Sequence, residues 1–123
     1  MTPITLELPF PPSVNTYWRN VGRTILSENA RQFRASSMRE IALQIAGLRP
    51  RPFITWPVAL VVILQPPDRR KRDLDNMVKA VLDAITHAKV WQDDSLVHDL
   101  RLRWGEIITG GKAVVTIKKL EAE

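Results

Sequence analysis

Seven consecutive apolar residues, Val58-Ala-Leu-Val-Val-Ile-Leu64, lie between Pro57 and the break Gln65-Pro66-Pro67. The run is too short for an ordinary buried helix and is rich in β-branched residues, so it reads as the central strand of a sheet. Residues that follow such a strand sit where a rigid scaffold aims loop side chains.

The remaining pattern builds one mixed domain around that strand. Ile4, Leu6 and Leu8 alternate with Thr5 and Glu7, predicting a half-buried strand that stops at the Pro9, Pro11 and Pro12 cluster. The segment from Ser13 to Ile25 reads as a loop carrying Asn15, Tyr17, Trp18, Arg19, Asn20 and Arg23, a mixture suited to stacking on bases and binding phosphates. Equally, it reads as a polar loop with an aromatic staple. Ser27 is placed to cap a helix reaching about Ala46, with Ala30, Phe33, Met38, Ile41, Ala42 and Ile45 on its apolar face and Arg34 inside that face. A second apolar stripe, Leu74, Met77, Val78, Val81, Leu82 and Ile85, predicts a helix with Asp73 at its N-cap. Leu96, Leu100, Leu102 and Trp104 suggest a strand with Arg101 and Arg103 on its other face, and Val114 to Ile117 a last strand returning antiparallel against it as a hairpin. The expected fold is a compact α/β (mixed α+β) domain over residues 1–123, with a mixed sheet packed by two main helices.

A chain of 123 residues holds one such core and leaves no room for a separate binding module, so binding and chemistry share a surface. Its formal charge of +5 favours a polyanionic partner, while 45% hydrophobic residues argue against a disordered basic tail. The absence of cysteine removes disulfides, thiol nucleophiles and thiolate zinc sites from consideration. No secretory signal pattern and no apolar run of about 20 residues appears, which predicts a soluble, cytoplasmic protein without a membrane partner. Neither a Gly-rich phosphate loop nor a Ser-His-Asp order supports a small-molecule phosphate or acyl substrate.

The chemistry concentrates in Asp68-Arg-Arg-Lys-Arg-Asp-Leu-Asp-Asn76, followed by Lys79 and then Asp93-Asp94. Arg69, Arg70, Lys71 and Arg72 supply cations for a phosphodiester backbone, and carboxylate oxygens are what Mg²⁺ prefers as protein ligands. Phosphodiester cleavage needs an activated water and charge stabilisation at the attacked phosphate, both of which a bound divalent ion supplies. Asp73 and Asp75 stand at the helix start, and if the fold brings Asp94 back from the following turn the three carboxylates can hold one or two hard metal ions. Lys79, predicted four residues after Asp75 on one helix face, has an ammonium suited to the scissile phosphate. Taken singly, these residues have ordinary readings too: Asp73 as a helix cap, Asp75 with Lys79 as a surface ion pair, the basic run as a solvated loop. Isolated acids such as Asp83 read by default as solvated charge.

Those motifs, with Leu82-Asp-Ala84, Val90-Trp-Gln-Asp-Asp94, Leu8-Pro-Phe-Pro-Pro-Ser13, Asn15, Tyr17 and Gly22-Arg-Thr24, resemble the RusA family of Holliday junction resolvases. The resemblance covers most of the chain. It implies an Mg²⁺-dependent endodeoxyribonuclease, with Mn²⁺ as a substitute, that cuts four-way DNA in symmetrical paired nicks during recombination and repair. On this sequence the implied metal ligands and catalytic acids are Asp73, Asp75 and Asp94, the catalytic lysine is Lys79, and Asp93 is an auxiliary acid. The DNA-binding set is Arg69, Arg70, Lys71 and Arg72 with Asn15, Tyr17, Arg19 and Arg23. The resemblance further implies a homodimer encoded by a bacterium, phage or prophage, since one acidic cluster per chain nicks two strands symmetrically only as a two-fold pair. Two alternatives stand beside this reading: a noncatalytic DNA-binding or architectural protein, and a nuclease for forks or flaps.

Overall fold

The computed structural model describes residues 1–20 and 22–121. Its strands are β1 (Ile4–Leu8), β2 (Trp18–Asn20), β3 (Thr24–Leu26), β4 (Val58–Gln65), β5 (Val97–Trp104) and β6 (Lys112–Lys119), and its helices are α1 (Glu28–Ile45) and α2 (Val78–His87). Short 3₁₀ turns occur at Val14–Thr16, Leu74–Asn76 and Asp94–Leu96.

The apolar run is central, as its composition requires: β4 pairs antiparallel with β6 on one side and parallel with β5 on the other, giving the sheet order β1-β6-β4-β5. Val58, Leu60, Val62 and Leu64 of β4 join Leu6, Leu8, Ala113, Val115 and Ile117 in the core, with Ile41, Val81 and Ile85 from the helices. Each such leucine or isoleucine contributes on the order of 2 kcal/mol by leaving water. The opposite face carries Val61, Ile63 and Val114, which stay only half-buried.

The predicted hairpin of β5 and β6 does not form. The connection 105–111 instead steps across the end of β4, where Gly105 N–H donates to Leu64 C=O at 2.8 Å and Ile108 N–H to Pro66 C=O at 3.0 Å. Both faces of β6 are at least partly covered along Lys112–Ile117, which suits a position between two strands, whereas β5 is mostly exposed and suits an edge. The segment from Ser13 to Ile25 is also more ordered than a plain loop, because β2 and β3 pair antiparallel across Gly22, whose φ is +84°. In α1, Ser27 accepts a hydrogen bond from Ala30 N–H at 3.1 Å, as a cap should; Ala42 is exposed and Ser37 occupies the buried stripe instead.

The outer strand β1 is tied to α1 by one side chain. Gln44 Oε1 accepts from Glu7 N–H at 2.7 Å and Gln44 Nε2 donates to Glu7 C=O at 2.7 Å. Nearby, an apolar groove of about 570 Å³ runs between the start of β1, the end of α1 and residues 48–56, away from every candidate catalytic residue.

Gly110 and Gly111 both have positive φ, +82° and +66°, but their surroundings differ. A Cβ at Gly110 meets nothing within 4 Å; one at Gly111 lies 2.9 Å from Phe10 Cβ and 3.0 Å from Pro67 Cδ. In urea denaturation Gly110→Ala should cost about 1 kcal/mol for its backbone conformation. Gly111→Ala should cost roughly 1–3 kcal/mol more for crowding. Equal losses would show that the Phe10 and Pro67 contact is not tight.

Candidate functional site

Because β4 and β5 are parallel, the chain between them must cross over, and that crossover contains the whole charged cluster. Pro66-Pro67 ends β4, having no amide hydrogens with which to continue the ladder. The basic loop then folds on Asp68. Its Oδ1 accepts Arg70 N–H at 2.9 Å and pairs with Arg72 Nη2 at 2.9 Å, while Oδ2 lies 3.6 Å from Arg70 Nε. Arg72 also donates to the Asp68 and Arg70 carbonyls and lies 5.2 Å from the centre of the Phe10 ring. Phe10 in turn stacks on Trp104 of β5 at 6.5 Å. Arg72, with a side chain only 18% exposed, is therefore a staple of the loop and not a free phosphate contact. Arg69, Arg70 and Lys71 are exposed, and these three carry the cationic surface.

Asp73 begins the turn Leu74–Asn76 but forms no side-chain cap bond, and the helix starts only at Val78. This removes Asp75 from the helix, so the expected pairing of Asp75 with Lys79 is absent. Lys79 Nζ instead sits 3.3 Å from Asp83 Oδ1, one helical turn further on. The turn Leu74–Asn76 packs on β5 and against α2.

The second acidic turn is anchored from the core. Trp91 is fully buried, its indole N–H donates to Thr86 Oγ1 at 2.6 Å, and its strand neighbour is Ile54, held by Ile54 N–H to Val90 C=O at 2.8 Å and Gln92 N–H to Ile54 C=O at 2.9 Å. Two residues later Asp93 accepts Ser95 N–H at 3.2 Å and starts the turn Asp94–Leu96, which packs on α2. Hydrogen bonding by Ser95, with help from the Asp94 amide and the charge of Lys79, lowers the Asp93 pKa. Asp93 is thus engaged as a cap within the field of Lys79. Asp73, Asp75 and Asp94 form no side-chain hydrogen bond or ion pair among the described residues.

Of the three free acids, Asp73 lines a cleft of about 710 Å³ between the Pro-rich segment after β1 and the basic loop, with Pro12, Asn15, Thr16, Lys71 and Asn76 among others, while Asp75 and Asp94 are not part of its wall. Its donor set is hard oxygen, which fits a divalent cation such as Mg²⁺ better than a soft one. Among the described residues, however, no three His, Asp or Glu side chains converge into a ready-made metal cage. The crossover brings both acid-bearing turns against α2.

The N-terminal set divides as well. Asn15, Arg19 and Arg23 are exposed, as is Trp18 at 47%, but Tyr17 is 1% exposed and cannot stack on a base. Its hydroxyl donates to Asp83 Oδ2 at 2.8 Å and accepts from Arg34 Nη2 at 3.4 Å. Burial, followed by the hydrogen bond to Asp83, raises the Tyr17 pKa and keeps the phenol a donor. Sequence reasoning missed Asp68 as the anchor of the loop and treated Asp83 as solvated. The signals for Asp83 were its place four residues after Lys79 and its membership of the Leu82-Asp-Ala84 motif.

The family described as endodeoxyribonuclease RusA matches residues 9–118. The crossover junction endodeoxyribonuclease RusA of Escherichia coli O139:H28 (strain E24377A / ETEC) is 38% identical over 124 residues, covering all of both chains. That of Shigella sonnei (strain Ss046) is 36% identical over the same span, and that of Enterobacteria phage HK97 is 35% identical over 116 residues, covering 94% of this chain and 93% of its own. A mixed sheet with a charged crossover, matched along its length to DNA-cutting proteins, defines a nuclease fold. This chain belongs to the RusA family of endodeoxyribonucleases, whose activity implies a divalent metal cofactor. No described helix is long and apolar enough to cross a membrane.

The Asp68 anchor has a titration signature. The Arg70 amide, and then Arg72, lower its pKa below the ordinary 3.8. A depressed carboxylate contributes order that is present above pH 3.8 and lost as pH falls through the lower folded value. By NMR titration, Arg72→Gln should raise the Asp68 midpoint while leaving it below the ordinary value, since the Arg70 amide remains. An unchanged midpoint would remove Arg72 from the anchor.

Proposed function

We propose that this chain is a structure-specific endodeoxyribonuclease that resolves four-way DNA junctions by paired nicks, with residues 1–123 acting as one catalytic domain. The observation that carries this reading is the sorting of charge within the crossover. Asp68 and Asp83 each pair with a nearby cation, whereas Asp73, Asp75 and Asp94 have no such partner among the described residues, and Asp73 lines a cleft together with Arg70, Lys71 and Arg72. Free carboxylates next to bound phosphate are unfavourable unless a cation joins them. Mg²⁺, with Mn²⁺ as a substitute, is the ion we assign to Asp73, Asp75 and Asp94; when bound it supplies charge neutralisation and an activated water.

The protein's own groups then have separate tasks. Arg69, Arg70 and Lys71 hold the DNA backbone, with Asn15 in the cleft wall and the exposed Arg19 and Arg23 of the N-terminal segment as further contacts. Lys79 places an ammonium at the scissile phosphate, where charge grows during attack. Asp93, already capping its turn, keeps Asp94 in position. The active form is a homodimer acting on DNA in the bacterial cytoplasm. One acidic site per chain supports the dimer, as does the half-buried apolar strip of Val61, Ile63 and Val114.

The separation of the three carboxylates also suits a noncatalytic junction-binding protein, which needs the cations and not the cage. Nicking of a mobile four-way junction, with Mg²⁺ or EDTA, separates the two readings. The enzyme should give symmetrical metal-dependent cuts, and Asp75→Asn should reduce them by about a thousandfold or more while junction affinity stays within about threefold. Binding with no cuts at all would favour the noncatalytic role, and preferential cutting of forks or flaps would change the substrate.

A further inference from the structure

Asp83 divides its two carboxylate oxygens between a lysine on its own helix and a buried phenol from another element. Oδ1 faces Lys79 Nζ at 3.3 Å, and Oδ2 accepts the Tyr17 hydroxyl at 2.8 Å. The Asp83 side chain is 18% exposed and that of Lys79 is 50% exposed, so the lysine head is open to a substrate while its counter-ion is mostly covered. An ordinary helical ion pair of this spacing is weak, and its geometry wanders. Here the carboxylate cannot wander, because a buried phenol holds its other oxygen.

Tyr17 is itself fixed from three directions. Its backbone carbonyl accepts Ser27 N–H at 2.9 Å, tying it to the start of α1; its ring meets Trp18 edge-on at 5.1 Å; its hydroxyl accepts from Arg34. Arg34 Nε is buried without a partner, so this guanidinium is held beside the phenol by packing and not by a full set of hydrogen bonds. Arg34 also opposes protonation of His87, whose pKa is lowered by burial first and by Arg34 second. Around Asp83 there are thus the half-exposed Lys79 of its own helix, the Tyr17 hydroxyl, and behind that hydroxyl Arg34 of α1.

We propose that Asp83 is a positioning residue for Lys79, and that Tyr17, backed by Arg34, sets the direction in which Asp83 holds the lysine ammonium. The inference rests on the nuclease reading, in which Lys79 acts at the phosphate. It adds a route by which the β2–β3 hairpin, bearing Arg19 and Arg23, reaches the reaction. The hairpin begins immediately after Tyr17, so DNA contact there bears on the residue that aims Lys79.

The test is a double-mutant cycle on a four-way junction, read as single-turnover cleavage rate and as junction binding without metal. Asp83→Asn keeps shape and the Tyr17 hydrogen bond but removes the charge; Tyr17→Phe keeps the charge but removes its orientation. Each should slow cleavage, by about tenfold and about threefold respectively, with affinity changed less than about twofold. In a Lys79→Ala background both should add less than about twofold, since the group they position is gone. Full additivity in that background, or a loss of binding equal to the loss of rate, would overturn the positioning role. A Lys79→Ala enzyme cutting at the parental rate would instead overturn the nuclease reading of the lysine. If Asp83→Asn fails to fold by thermal melting, Tyr17→Phe carries the same cycle.

Discussion

The parallel pairing of β4 with β5 governs most of what this protein presents to its surroundings. Two neighbouring parallel strands cannot be joined by a tight turn, so the chain must leave the sheet, form a helix and come back. The basic loop, both acidic turns and Lys79 all lie on that excursion. Its exit is fixed by Pro66-Pro67 at the end of the innermost strand, and its return by Trp91, wedged in the core with its indole satisfied. Between two rigid ends, short turns carry exposed charge.

Within the crossover, charges fall into those that build the scaffold and those left over. Arg72 looks inward, between Asp68 and the Phe10 ring, and Phe10 leans on Trp104. The loop's curvature thus depends on one member of the very cationic run that its composition suggests is for DNA. Asp83 is likewise occupied on both oxygens. Asp73, Asp75 and Asp94 remain without a partner among the described residues, near the exposed Arg69, Arg70 and Lys71 of the same crossover, and it is this remainder that resembles a phosphodiester site.

Much of this was legible in the sequence, for physical reasons. The apolar run could only be an inner strand, Ser27 could only be useful as a cap, and both helical stripes had clear period. Strand order was not legible, because β6 has enough apolar residues on alternate positions to pair with several partners, and the choice depends on how residues 105–111 cross β4. Nor was the start of α2. A helical stripe beginning at Leu74 looks the same whether the first residues are α or 3₁₀, yet the difference moves Asp75 off the helix and gives Lys79 to Asp83. Tyr17 failed for a related reason: an aromatic among polar neighbours signals exposure, and only the tertiary fold brings Asp83, distant in sequence, to its hydroxyl.

The pairing of Gln44 with Glu7 bears on how such a sheet behaves in company. By offering an acceptor to Glu7 N–H and a donor to its carbonyl, the Gln44 amide imitates one residue of an adjoining strand. Any strand approaching β1 from outside must first break both bonds, at the one point where the edge would otherwise be most inviting. Nothing comparable covers β5 among the described residues. The sheet is therefore asymmetric as a template: one margin is closed by its own helix, and growth by strand addition is directed to the margin beside the charged crossover.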